Sequence, residues 1–260
     1  MTKYGFIGLG NMASAIIDGM KNSGQYDMRN VYGYDTVSSK ANECGVCACD
    51  SIAQLCKTVD IVVLAVKPQI LPKVLPEVKE NALQALIVSI AAGKTIDYLA
   101  QALYENAPIV RVMPNINARV GASTVAFCAN ASVADEQKKL VETMLCTIGT
   151  VTELPESMFS VFTAIAGSSP AFTYIYIDAL ARAAVQAGMP KAQALQIAAS
   201  SVFGSAKLVM ESGEHPYALA DSVCSPSGTT IDGVLTLQEN AFESTVHKAI
   251  KAVIEKDKRL

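Results

Sequence analysis

Histidine is almost missing from this chain of 260 residues, which has two, His215 and His247. Metal sites built on imidazole and acid–base chemistry run by a histidine pair therefore have little to work with. Charge is scarce as well. Charged residues make up 17% of the chain and the net charge of −3 is spread along it, so no nucleic-acid or membrane surface is expected. There is no internal repeat, no low-complexity tract and no flexible linker. Nor is there a long unbroken apolar run: residues 161–177 are apolar but carry Gly167-Ser168-Ser169-Pro170 in their middle. Despite a mean hydropathy of +0.30, no membrane span is expected, and the apolar excess is assigned to a subunit interface. The chain runs directly into an apolar strand, without a basic segment followed by a cleavable apolar one, which makes a cytoplasmic location the expectation.

Cysteine, by contrast, is present seven times, as Cys44, Cys47, Cys49, Cys56, Cys128, Cys146 and Cys224. Cys44-x-x-Cys47-x-Cys49 has no second pair and no histidine near it in sequence. Free thiols in a reducing compartment and no metal are therefore expected. The stretch that organises the rest lies at the start. Residues 3–7 suit a buried strand, and Gly8-Leu9-Gly10-Asn11-Met12-Ala13 follows as G-x-G-x-x-A before an apolar-periodic helix at 15–20. Gly8 permits a tight turn, Gly10 lets backbone approach a pyrophosphate, and Ala13 lets helix pack on strand. Free N–H groups at the helix start then face the anion. Residues 31–34 form a second strand ending in Asp35, where the acid that meets a dinucleotide's ribose is expected.

Strand and helix then alternate. Helices are expected at 38–44, 51–57, 71–81, 96–103 and 134–148, and strands at 45–49, 60–66, 86–91, 109–113, 123–128 and 150–154. This is the pattern of an α/β fold, a Rossmann-like doubly wound parallel sheet over residues 1–155. Beyond Pro155 the strands stop. Helices at 158–166, 170–187, 190–212, 216–223, 229–239 and 242–258, with Ser169 capping the second, make residues 156–260 an all-α domain. From Ala171 to Ala187 the only charges are Asp178 and Arg182, an i,i+4 pair. About a hundred helical residues can hardly cover both long helices, so a homodimer through this domain, or a higher oligomer, is expected, with cover by the nucleotide domain of the same chain as the alternative.

In an open parallel sheet, ligands bind beyond the carboxyl ends of the strands. The segments there are Gly8 to Ala13, Ala65-Val66-Lys67-Pro68, Ser89-Ile90-Ala91-Ala92-Gly93 and Arg111-Val112-Met113-Pro114-Asn115. Small residues at Ala65, Ala91 and Ala92 let a flat ring lie against backbone, and Lys67 offers either one fixed charge or a solvated lysine. Asn115 and Arg111 have ordinary alternatives, a turn and a salt bridge. A second informative loop is Asp221-Ser222-Val223-Cys224-Ser225-Pro226-Ser227-Gly228-Thr229-Thr230-Ile231. Capping a helix needs one hydroxyl, and Ser225, Ser227, Thr229 and Thr230 supply four. A carboxylate or phosphate site is the reading, with a simple cap at Ser227 or Thr229 as the alternative. No His, Cys or acid pair suited to strong acid–base work stands near these segments in sequence. Hydride transfer to an already polarised double bond needs none.

These segments, with Gly167-Ser168-Ser169-Pro170-Ala171 as a sixth, resemble in kind and order the motifs of the pyrroline-5-carboxylate reductases. The resemblance runs the length of the chain. It implies an oxidoreductase that reduces the cyclic imine 1-pyrroline-5-carboxylate to L-proline with NADPH, or NADH as the alternative. Gly8, Leu9, Gly10, Asn11, Met12 and Ala13 would hold the pyrophosphate and Asp35 would stand at the ribose. Ala65, Val66, Lys67, Pro68, Ala91, Ala92 and Gly93 would line the nicotinamide half, with Pro114 and Asn115 also at the cofactor. Ser225, Gly228 and Thr229 would take the carboxylate of the imino acid, and the catalytic Thr230 would reach its ring nitrogen.

The chain departs from the family's pattern in places. Ser227 stands where that family has Gly, Ala166 where it has Ser, and Ile116-Asn117 where it has Thr-Pro. Asp35 favours the free 2′-hydroxyl of NADH, while Ser38, Ser39 and Lys40 are the groups to receive a 2′-phosphate were Asp35 turned away. Two rivals are a β-hydroxyacid dehydrogenase resembling 6-phosphogluconate dehydrogenase and a non-enzymatic dinucleotide-sensing dimer. The first needs a catalytic lysine that residues 158–187 lack. The second leaves the Ser225 to Thr230 loop unexplained.

Overall fold

Short apolar runs flanked by turn residues become the strands of one eight-stranded sheet. They are β1 (Tyr4–Ile7), β2 (Val31–Tyr34), β3 (Cys47–Ala48), β4 (Ile61–Leu64), β5 (Leu86–Ser89), β6 (Ile109–Met113), β7 (Ser123–Ala129) and β8 (Gly149–Glu153), in the order β3-β2-β1-β4-β5-β6-β7-β8. The computed structural model describes residues 1–82 and 84–259. The first six strands are parallel in the Rossmann order, whose direction of winding reverses between β1 and β4. The doubly wound parallel sheet expected from sequence is present, with one antiparallel pairing at its far edge. There β7 runs antiparallel to β6, and β8 runs with β7. The link from β6 to β7 holds only a 3-10 turn, Ile116–Val120, too short for a crossover, so the chain must double back.

Helices α1 (Asn11–Ser23), α2 (Ser39–Cys44), α3 (Ile52–Thr58), α4 (Leu71–Asn81), α5 (Ile96–Ala102) and α6 (Asp135–Cys146) connect the strands. Side chains alternate along β4. Ile61 and Val63 join Ile16, Ile17 and Met20 of α1 and Val141, Met144 and Leu145 of α6 in one core. Val62 and Leu64 point the other way, into a core with Leu55 of α3, Leu71, Leu75 and Val78 of α4, and Leu99 of α5. Burying one such side chain stabilises by roughly 1.5–3 kcal/mol, so coverage on both faces is what holds strands of four residues.

The chain after β8 continues as α7 (Phe159–Phe162), α8 (Ser169–Gln186), α9 (Lys191–Ser212), α10 (Pro216–Val223), α11 (Thr229–Glu239) and α12 (Phe242–Asp257). The described chain divides into one unit of Met1–Gly167 with the last residues from Lys256, and a second of Ser168–Glu255. The sheet-bearing unit thus extends past the boundary expected after residue 155, because Phe159 and Phe162 pack with Ala126 and Cys128 of β7. Two expectations of local structure fail in the same stretch. Glu156–Gln186 is one continuous helical run of 31 residues, and Ser169 does not cap a new helix within it. The segment Gly167-Ser168-Ser169-Pro170 is absorbed by a π-helical turn, Thr163–Ser168, whose extra residue carries the chain past the proline that would otherwise break it. By length and composition this helix could cross a membrane. In the second unit the fully buried apolar cluster consists of Ala181, Ala194 and Ala198, while Ile175, Phe203 and Met210 are 70%, 71% and 75% exposed. Such an apolar surface needs a cover.

One polar device ties the sheet to the helix that leaves it. Arg111 of β6 is buried, with its guanidinium 4.5 Å above the Phe159 ring and Nη1 donating to Glu156 Oε1 at 2.9 Å. The same carboxylate oxygen accepts the Ile96 N–H at 2.8 Å and so serves the start of α5. The salt bridge held open as an alternative for Arg111 is what the structure contains. Glu156→Ala leaves a buried cation and a helix-start N–H unpaired, and should lower unfolding stability by about 2–4 kcal/mol, with Arg111→Met restoring part of the loss. Urea unfolding of the single and double variants checks this. A loss below about 1 kcal/mol would class the pair with surface ion pairs.

Candidate active site

The turn from β1 to α1 is enclosed by its neighbours on both sides. The Gly8 N–H donates to Tyr34 O at 2.8 Å, and φ is +92°. A Cβ there would lie 2.9 Å from Val66 Cγ1 and 3.0 Å from Ala65 O, so the ends of β1 and β4 leave no room for a side chain. Gly10 differs. It is the N-cap of α1 at φ −78°, ψ −176°, and a Cβ on it would meet nothing within 4 Å. Neither conformation nor packing within the chain asks for glycine, and the space beside it is open. The first intrahelical bond is Ser14 N–H to Gly10 O at 2.9 Å, and no side chain caps the helix. The N–H groups of Asn11, Met12 and Ala13 therefore have no intrahelical acceptor, and no acidic side chain sits in this first turn to oppose an anion. Leu9 and Ala13 are buried, which anchors the turn to the core.

Asp35 has a second employment that its position in sequence did not disclose. Its Oδ2 accepts the Leu9 N–H at 2.8 Å and its Oδ1 accepts the Val37 N–H at 3.0 Å. The carboxylate braces the glycine-rich turn against the end of β2. At the end of β4, Ala65 and Val66 are half-buried beside Gly8, and Pro68 lies in the turn leading to α4. Lys67 is exposed and pairs with no carboxylate among the described residues. After β5, buried Ala91 is followed by exposed Ala92 and by Gly93 at φ 71°. Pro114 and Asn115 are buried at the end of β6. The Asn115 amide is already engaged: Nδ2 donates to Ala166 O at 3.0 Å, and Oδ1 accepts from Asn117 N–H at 3.1 Å and Ser123 Oγ at 3.2 Å. That side chain is a brace for the β6–β7 connection, and the backbone is engaged as well, its N–H donating to Ser123 Oγ and its carbonyl accepting from Ala118 N–H, both at 3.1 Å.

In the helical unit, residues 225–228 form a turn closed by Gly228 N–H to Ser225 O at 3.0 Å. Pro226 and Ser227 are its central residues, and Ser227 has φ 57°, the left-handed conformation for which glycine is preferred at the third turn position. Gly228 is the N-cap of α11, again without a side-chain cap. A Cβ on it would fall 2.4 Å from Ser225 Oγ, so the serine hydroxyl lies directly over this glycine. The simple-cap alternative for Ser227 or Thr229 is therefore not what the structure holds. Thr58, Thr143, Thr173, Thr236 and Thr245 each donate to the carbonyl four residues earlier. The Thr230 hydroxyl has no such bond and, among the described residues, no other partner.

Two of the buried cysteines are held as thiols. Burial pushes the Cys56 and Cys128 thiols up to about 12, far from the thiolate a nucleophile requires. Among the described residues no group of three or more His, Cys, Asp and Glu side chains could hold a metal ion.

Residues 156–260 match the family model described as pyrroline-5-carboxylate reductase dimerisation, and residues 3–93 match one described as NADP oxidoreductase coenzyme F420-dependent. The pyrroline-5-carboxylate reductase of Escherichia coli strain K12 is 42% identical over 263 residues, covering 99% of this chain and 98% of the relative. This chain belongs to the pyrroline-5-carboxylate reductases. Solved structures of the family superpose over nearly the whole length. The enzyme of Plasmodium falciparum with NADP bound has a TM-score of 0.91 at 33% identity, covering 99% of this chain and 97% of that one. That of Streptococcus pyogenes has a TM-score of 0.88 at 38% identity, covering 100% and 99%. As a pyrroline-5-carboxylate reductase the chain is an NAD(P)-dependent oxidoreductase and a homo-oligomer, and the two rival functions fall away.

Gly10→Val tests the open space. Its backbone angles suit valine, and the weaker cap costs α1 about 1 kcal/mol, so the fold should persist. Cofactor binding in titration calorimetry should weaken by roughly 100-fold or more, about 2.8 kcal/mol. Binding equal to the parent would place the pyrophosphate elsewhere.

Proposed function

We propose that the chain reduces 1-pyrroline-5-carboxylate to L-proline, the last step of proline biosynthesis, with NADPH as donor and NADH as the alternative. The observation that carries this is a pair of helix starts, at Gly10 and Gly228, each headed by glycine with no side-chain cap. One suits the pyrophosphate of a dinucleotide and the other the carboxylate of a small imino acid. The cofactor supplies a hydride to the imine carbon. The N–H groups of Asn11, Met12 and Ala13 hold its pyrophosphate. Residues 65–68 and 91–93 line the nicotinamide half, where small side chains admit a flat ring, and Pro114 and Asn115 stand at the cofactor. Ser225 and the N–H groups of Gly228 and Thr229 anchor the carboxylate.

As the C=N bond becomes C–N, the ring nitrogen must carry a proton. The Thr230 hydroxyl, free of its own helix, orients that nitrogen by a hydrogen bond. Two anchored points fix which face of the ring is reduced. The helical domain joins two chains into a homodimer, which covers the apolar faces of α8 and α9. That cover accounts for the apolar helix Glu156–Gln186 without a membrane. The enzyme acts in the cytoplasm on a small molecule and needs no nucleic acid.

Cofactor oxidation with and without 1-pyrroline-5-carboxylate is the direct test. Thr230→Ala should lower kcat by roughly 10–10³-fold with a smaller change in KM. Ser225→Ala should act mainly on KM, because a carboxylate contact is equally strong in ground and transition states. A Thr230→Ala variant with nearly full kcat/KM would remove the catalytic role while leaving the carboxylate loop. For assembly, light scattering should find no monomer in the parent and should find smaller species for Ile175→Asp or Phe203→Asp. A monomeric parent would end the dimer proposal.

A further inference from the structure

The residues after β2 stand where a dinucleotide fold meets the adenosine ribose, and here they are already bonded to one another. Asp35 faces into the glycine-rich turn through its bonds to the Leu9 and Val37 N–H groups, so it has not turned away. In the first turn of α2, the Lys40 ammonium donates to Glu43 Oε2 at 2.8 Å and the Ser39 hydroxyl donates to Glu43 Oε1 at 2.8 Å. One carboxylate thereby engages two of the three groups that could receive a phosphate, including the only cation among them, and leaves the Ser38 hydroxyl. Arg29 is paired with Asp27 at the opposite end of β2 and cannot substitute.

We infer that Glu43 sets this chain's discrimination between the two nicotinamide cofactors, by holding Ser39 and Lys40 away from a 2′-phosphate. The inference rests on the dinucleotide role of the N-terminal unit. Asp35 and Glu43 contribute two negative charges to this corner and Lys40 one positive, a net charge of −1 facing a phosphate of about −2. Lys40 must leave Glu43 before it can meet that phosphate. A free 2′-hydroxyl asks nothing of Lys40 and can donate to Asp35. The ammonium is also kept charged by its partner: the hydrogen bond it donates to Glu43 raises the Lys40 pKa, and those that Glu43 accepts from Lys40 and Ser39 lower its own. Removing the Glu43 charge leaves a fully charged lysine with no carboxylate on it, beside a hydroxyl donor.

The test is direct binding to the full chain by calorimetry, with NADPH, NADH, ADP-ribose and 2′-phospho-ADP-ribose titrated separately at low and at physiological salt. Glu43→Gln and Glu43→Ala should each tighten NADPH and the phosphorylated fragment by roughly 3–10-fold while changing NADH and ADP-ribose little. The gain should shrink at higher salt and vanish when Lys40→Ala is added. An unchanged NADPH to NADH affinity ratio in both Glu43 variants, or a gain that survives Lys40→Ala, overturns the inference. A parent that binds none of the four ligands would instead overturn the dinucleotide role itself.

Discussion

Backbone N–H groups at the start of a helix have no partner inside that helix, and what receives them decides what the helix start can do. In α3 and α5 the chain answers locally. Ser51 accepts from Gln54 N–H and Thr95 from Tyr98 N–H, both at 3.1 Å, which closes these ends to anything else. Helices α1 and α11 begin at glycines instead. A missing cap is not distinctive by itself, since α9 also starts uncapped at Pro190. What distinguishes α1 is that the position before it is left without a side chain although packing and conformation would admit one. What distinguishes α11 is that its glycine is forced by the closeness of the Ser225 hydroxyl. Open donors and close backbone approach occur together at both, and an anion needs both.

The remainder of the N-terminal unit reads as the means of holding such a turn still. Gly8 is wedged against Ala65 and Val66, Asp35 grips Leu9 from the end of β2, and Asn115 stitches the far loop to Ala166. Arg111 and Glu156 secure the start of α5, which follows residues 91–93. Each of these side chains bonds to backbone or to a buried charge at a strand's carboxyl end. Small-residue gaps at strand ends are useful for recognition only if the chain around them does not relax into them, and these bonds prevent that.

Elements with strong local signals were legible in the sequence. Helices α4, α10 and α11 and strand β6 match their expected limits to the residue, because apolar periodicity and proline, glycine or asparagine punctuation agree there. Strands were read too long where an apolar run outlasts its partner. Residues 60–66 were expected as one strand, but β4 stops at Leu64 opposite Ile7, where β1 ends. The unbroken helix through Gly167 to Pro170 was not legible, since a π turn is set by packing of the surrounding turns and has no composition of its own. The partners of Arg111 and Asp35 were hidden for a related reason, because sequence distance says nothing about which strand ends lie side by side. Positions of the glycine-rich turn and of the Ser-Gly-Thr loop were legible; their state, uncapped and braced, required coordinates.

Ser227 is the point where local preference and fold disagree. A serine in the left-handed region costs about 1–2 kcal/mol that a glycine would not incur, and the turn nevertheless adopts that conformation. The alternative for the chain is worse. Relaxing Ser227 out of the turn would break the Gly228 N–H bond to Ser225 O at the start of α11. Strain of this kind persists only where its surroundings over-determine the backbone, and it collects at binding loops. The serine's own hydroxyl is free among the described residues, so the position that glycine would leave bare carries one more donor in the Ser225 to Thr230 loop. The cost of the conformation falls on the fold, and the extra polar group falls on the site.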